Sequence, residues 1–175
     1  MTIFTVAGGC FWCLDAVFRQ IKGIDTVVSG YTGGMTEQPS YDEVCGGQTG
    51  HAEAVQITFD EAVLPADLLL DMFFTMHNPT TRNRQGNDVG MQYRSALFFI
   101  TDEQKTLFED AVAQNQLLWD DPIVTEVVAL STFYPAEDYH QDYFTKNPSN
   151  GYCNVVINPK LSKIRSKFAQ YWKER

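Results

Sequence analysis

Apolar segments of strand and helix period follow one another as β-α-β-β-α-β between Ile3 and Ile100. That order predicts an α+β fold with a ferredoxin-like split βαβ core, its helices packed on a mainly antiparallel mixed sheet. Two long irregular segments, residues 33–51 and 77–94, interrupt the order and predict functional loops. Composition sets the scale: 175 residues, 44% hydrophobic and 20% charged, make a chain that buries one full core and is too apolar for disorder. A single domain over residues 1–175 is expected.

Ile3 to Ala7 is a short apolar run and reads as the first strand. Phe11 to Ile21 carries Leu14, Val17, Phe18 and Ile21 at helical spacing, and Gly23 stops it. Ile24 to Gly30 reads as a second strand and Gly33-Gly34 as a break. Ala52 to Phe59 alternates as a third strand, with Val55, Ile57 and Phe59 on one face. Pro65 opens a helix whose apolar stripe is Leu68, Leu69, Met72, Phe73 and Met76. Ser95 to Ile100 is a buried strand, and Thr101 caps a helix from Asp102 to about Leu118 with acids in its first turn. Val124 to Leu130 is a further strand; Leu161, Ile164, Phe168 and Tyr171 mark a terminal helix beyond an irregular C-terminal segment.

The formal charge of −9 argues against nucleic acid or an anionic membrane as partner. Met1-Thr2-Ile3-Phe4 lacks the basic and apolar regions of a signal peptide, and no apolar run approaches bilayer length, so a cytoplasmic location is expected. Four cysteines in such a setting point to catalysis or metal binding sooner than to structural disulfides.

Gly8-Gly9-Cys10-Phe11-Trp12-Cys13 carries the chemistry. Cys10 falls where a helix begins, so free backbone N–H groups should lower its thiol pKa. The two aromatic rings after it suggest a nucleophile that receives a small apolar group, against the plainer reading of a core cysteine.

The chain resembles the A-type peptide-methionine sulfoxide reductases. Gly9-Cys10-Phe11-Trp12 matches that family's signature, as do Gly50-His51-Ala52-Glu53, the loop from Asn83 through Gly90 with Tyr93-Arg94-Ser95, and Gly151-Tyr152-Cys153. The resemblance runs from about Phe4 to Lys160. It implies a single catalytic domain with a ferredoxin-like core that reduces methionine S-sulfoxide, free or in peptides and proteins, needing no metal or organic cofactor. It implies that Cys10 is the nucleophile, that Phe11 and Trp12 hold the sulfoxide methyl, and that Glu53 hydrogen-bonds the oxygen with Tyr41 and Tyr93. Asp88 would act through water or a neighbouring hydroxyl, and Cys153 would resolve the sulfenic acid to a disulfide that thioredoxin reduces.

The chemistry fits those residue types. A sulfoxide oxygen leaves poorly until protonated, so the thiolate needs an acid beside it. Burial against Phe11 and Trp12 would keep Glu53 protonated, and two tyrosine hydroxyls would meet the developing charge. This chain departs from a common form of the family at Cys13, which makes a Cys-x-x-Cys pair with Cys10 and stands as an alternative resolving thiol. His51, His77 and His140 read as structural hydrogen-bonding groups, and Cys45 as packing. Two other classes fit part of the pattern: a thioredoxin-like dithiol-disulfide oxidoreductase using Cys10 and Cys13, and a zinc module built from Cys10, Cys13, Cys153 and His140.

Overall fold

A computed structural model describes residues 1–173. Strand β1 (Thr2–Gly8) lies at the centre of a six-stranded sheet, flanked on both sides by antiparallel partners: β3 (Ala52–Phe59) and the strand from Ser95 to Phe99. β2 (Ile24–Thr32) pairs antiparallel with β3, placing Tyr31 opposite Glu53. The strand order around β1 is the one the split βαβ pattern predicts. The short hairpin of β4 (Arg84–Gln85) and β5 (Asp88–Val89) precedes the Ser95–Phe99 strand, which is β6. β7 (Glu126–Ala129) adds in parallel to β6, and β8 (Tyr134–Pro135) adds antiparallel to β2.

Alternation sorts the side chains. Phe4, Val6, Val55, Ile57, Phe59 and Leu97 meet the helices in the main core, while Ala7, Ala52, Ala54, Ala96 and Phe98 form a second, smaller cluster with Leu130 and Phe133. Helices α1 (Phe11–Phe18) and α3 (Ala66–Met76) complete the core unit, and α4 (Asp102–Gln116) connects β6 to β7. Thr101 caps α4 as expected, its hydroxyl accepting from Gln104 N at 3.1 Å.

Several boundaries differ from the sequence pattern. α1 ends at Phe18, three residues short of Ile21, which pairs instead with Trp172 in an isolated bridge. The first long loop contains α2 (Tyr41–Cys45), opened by a Ser40/Glu43 capping box. The second folds back as the hairpin of β4 (Arg84–Gln85) and β5 (Asp88–Val89) across Gly86-Asn87.

The chain after β7 is largely irregular up to Asn150, as expected, and the terminal helix begins earlier than Leu161. After α5 (Tyr143–Lys146), Cys153–Ile157 form a π-helical turn that runs straight into α6 (Asn158–Lys167). Ile157, Ile164 and Phe168 anchor the segment in the core.

Candidate active site

The site begins where β1 hands the chain to α1. Gly9 has φ +91°, and a Cβ there would stand 2.7 Å from the Gln85 side chain, so only glycine fits between strand end and hairpin. Gln85 is fixed in turn by a two-way bond with the Asn78 backbone, at 3.0 and 2.9 Å. This turn makes Cys10 the N-cap of α1 and buries its thiol.

Glu53 shares the helix-facing side of β3 with Val55, Ile57 and Phe59, which puts a carboxyl beneath α1 at 1% exposure. Its Oε1 accepts from Phe11 N–H at 3.1 Å, and its buried Oε2 has no partner. The Cys10 thiol lies against this carboxyl. Burial pushes Glu53 up to about 8, against the lowering effect of the Phe11 N–H, so it is protonated at neutral pH.

The expected lowering of the Cys10 pKa is not what the structure shows. Loss of water raises this thiol well above its ordinary value; Cys13 and the charge of Glu53 add to the rise, and the N–H of Trp12 only partly offsets them. The lowered thiol is Cys13, brought to about 7 chiefly by the hydrogen bond from Cys10. Helix-start position alone misleads here because a buried thiolate loses more in desolvation than one backbone N–H returns.

The other expected residues converge unevenly. Tyr41, on α2, stacks on Phe11 at 6.3 Å and on Trp12 at 6.4 Å. Burial, and Glu53 after it, hold its hydroxyl protonated. Tyr93 enters from the turn before β6, half-buried, and burial first and Glu53 second hold its hydroxyl protonated. Asp88 reaches the thiols through a hydroxyl: Tyr152 Oη donates to Asp88 Oδ2 at 2.7 Å and sits 3.8 Å from Cys13 Sγ. Cys153, next to Tyr152, is fully buried, and burial raises its thiol, with Cys13 a smaller cause.

The segment from Tyr134 to Lys146 supplies His140, expected as a hydrogen-bonding group, together with Glu137 and Tyr143, which the sequence reading did not single out. Trp12 Nε1 donates to His140 Nδ1 at 2.9 Å, across 128 positions of sequence. Tyr143 stacks flat on Trp12 with centroids 3.7 Å apart. Glu137 accepts from Tyr31 Oη at 2.8 Å and from the Tyr41 backbone N–H at 3.0 Å, tying α2 to the sheet. Asp15 accepts from Asp142 N–H at 2.8 Å and pins the segment to α1. The aromatic density of Tyr134, Tyr139, His140 and Tyr143 was the available signal. His51 and His77 are structural: His51 bonds Gly34 N–H and Thr36 O, and burial lowers His77 to about 3 between Phe73 O and Ser95 Oγ.

No three His, Cys, Asp or Glu side chains among the described residues are grouped closely enough to hold a metal, so the four zinc candidates are not assembled. No helix of the described residues is long and apolar enough to cross a membrane. A cavity of about 500 Å³ bordered by Gly33, Arg94, Phe98 and Glu126 holds none of these site residues.

Two thiols one helical turn apart, with a protonated carboxyl and an aromatic wall against the first, define a thiol-based redox enzyme. The comparisons narrow the class. Residues 2–172 match the family model described as peptide methionine sulfoxide reductase. A peptide methionine sulfoxide reductase MsrA of Pseudarthrobacter chlorophenolicus is 58% identical over 98% of both chains, and that of Pasteurella multocida is 54% identical over 95% of this chain and 96% of its own. Mxr1 of Saccharomyces cerevisiae in reduced form superposes with a TM-score of 0.80 at 36% identity, covering 87% of this chain and 88% of that one. Mxr1 in complex with Trx2 superposes at 0.57 and 25% identity, over 81% and 84%. The chain belongs to the peptide methionine sulfoxide reductase family.

Proposed function

We propose that this enzyme reduces methionine S-sulfoxide, free or in peptides and proteins, through a Cys10 sulfenic acid, and so repairs oxidised proteins in the cytoplasm. The observation that carries the reading is Glu53: a buried carboxyl, protonated at neutral pH, with one oxygen bound by Phe11 N–H and the other unpartnered beside the Cys10 thiol. An acid in that state donates to a sulfoxide oxygen.

Phe11 and Trp12 receive the S-methyl group, and Trp12 is held by His140 and Tyr143. Cys10 passes its proton to the Cys13 thiolate it already hydrogen-bonds, then attacks the sulfoxide sulfur. Glu53 protonates the oxygen, while the Tyr41 and Tyr93 hydroxyls stabilise it. Asp88 orients the Tyr152 hydroxyl beside the thiols. The oxygen ends on Cys10 as sulfenic acid; the substrate sulfur gains two electrons and leaves as thioether. A second thiol, Cys153 with Cys13 as the alternative, displaces water from the sulfenic acid and forms a disulfide. A thioredoxin then reduces that disulfide by exchange, in keeping with the Mxr1 neighbour's complex with Trx2. No metal or organic cofactor enters these steps.

The test is a single turnover without reductant. The wild type releases one equivalent of methionine and gains one disulfide; a chain that releases none refutes the reading.

A further inference from the structure

A groove of about 1120 Å³ runs between α1 and α6. It starts at Ala16, one helical turn beyond Cys13, and its apolar lining includes Phe144, Leu161 and Trp172. Lys22, Arg165 and Lys173 form a cationic rim. Charge is unevenly distributed: the chain as a whole carries −9, yet between Asn150 and Lys173 it holds Lys160, Lys163, Arg165, Lys167 and Lys173 and no acidic residue. None of the ion pairs found among the described residues involves these side chains.

The groove also lies on the recycling side of the thiols. Cys10 faces Glu53 and the aromatic wall, where substrate is received. Cys13 faces Tyr152, the neighbour of Cys153, and the π-turn of Cys153 leads into α6, which forms one wall of the groove. Cys153 thus stands one π-turn from the helix that walls the groove.

The geometry points to the α1–α6 groove as the docking surface for the protein dithiol reductant, a partner whose contact face is apolar with an acidic border. The inference rests on the thioredoxin-driven recycling described above. On a chain of net charge −9, a groove lined by Lys22, Arg165 and Lys173 and by no acidic side chain favours an acidic partner and sets its orientation. Such rim charges act mainly on the encounter rate and its salt dependence.

The experiment compares two reductants on the full-length enzyme with methionine sulfoxide in excess: an acidic bacterial thioredoxin and uncharged dithiothreitol. With Lys22→Glu and Arg165→Glu combined, KM for thioredoxin should rise about tenfold at low salt, with dithiothreitol-driven turnover unchanged and with recovery in Arg165→Lys. An unchanged thioredoxin KM in the double variant overturns the assignment. Should the variant lose dithiothreitol turnover as well, the wild type decides by salt titration from about 50 to about 500 mM. A thioredoxin KM that climbs with salt while the dithiothreitol KM stays level supports the surface, and a flat thioredoxin KM refutes it. A wild type inactive with both reductants counts against the reductase reading itself, and the docking surface falls with it.

Discussion

Replacing Glu53 by Gln tests the protonated acid through stability as well as rate. In the folded protein, burial holds the carboxyl at about 8 against an ordinary 4.5. Between those values the folded state binds a proton that the unfolded state has released, so stability falls as pH rises across that window. The span is 8 − 4.5, or 3.5 pH units, and at about 1.4 kcal/mol per unit it amounts to an upper figure of about 5 kcal/mol. Glutamine keeps the shape, accepts from Phe11 N–H and does not titrate. Asp15, which burial raises to about 6, adds a slope of the same sign in both proteins and cancels in the difference. Urea unfolding of reduced wild type and Glu53→Gln from pH 4.5 to 8.5 measures it. The wild type should lose several kcal/mol relative to the variant by pH 8, and its single-turnover rate should fall through the same pH while the variant's does not. Parallel stability curves would refute a buried, protonated Glu53.

Further outcomes follow from the same geometry. Glu53→Ala should lower the single-turnover rate by about 10²–10³, because a methyl donates nothing to the oxygen; stopped-flow methionine release measures this. Cys10→Ser should keep its circular dichroism and release no methionine. Cys153→Ser should still release one equivalent but stall under thioredoxin recycling, whereas Cys13→Ser, which loses the proton acceptor for Cys10, should react more slowly yet still form the Cys10–Cys153 disulfide if Cys153 is the resolver; disulfide mapping by mass spectrometry after one turnover reads the pair formed. His140→Leu strands the Trp12 indole N–H and should raise KM for methionine sulfoxide by about tenfold, with recovery in His140→Asn, whose amide oxygen replaces the ring acceptor.

The strand and helix order was legible in the sequence because each element carries its own period: Val55, Ile57 and Phe59 alternate, and Leu69, Met72, Phe73 and Met76 recur by turns. The glycine turn ahead of Cys10 was local in the same sense. It depends on adjacent residues, and φ +91° at Gly9 is the conformation the Gly8-Gly9 pair permits. Whatever depended on burial or on distant contact was not legible. The Cys10 thiol was expected to be acidified by its helix start, yet the surrounding core raises it, because desolvation depends on every residue packed around it. The terminal helix begins before Leu161, already at Gly151, because Ile157 and Ile164 find the core. His140 was placed by an indole 128 positions away, a pairing no local pattern encodes. Sequence alone thus determined the order of elements and the reactive residue types, which follow from local periodicity and side-chain chemistry. Tertiary structure decided their protonation, the second layer that holds Trp12 and Tyr41, and the cationic groove beside the thiols, because each arises only when distant segments exclude water together.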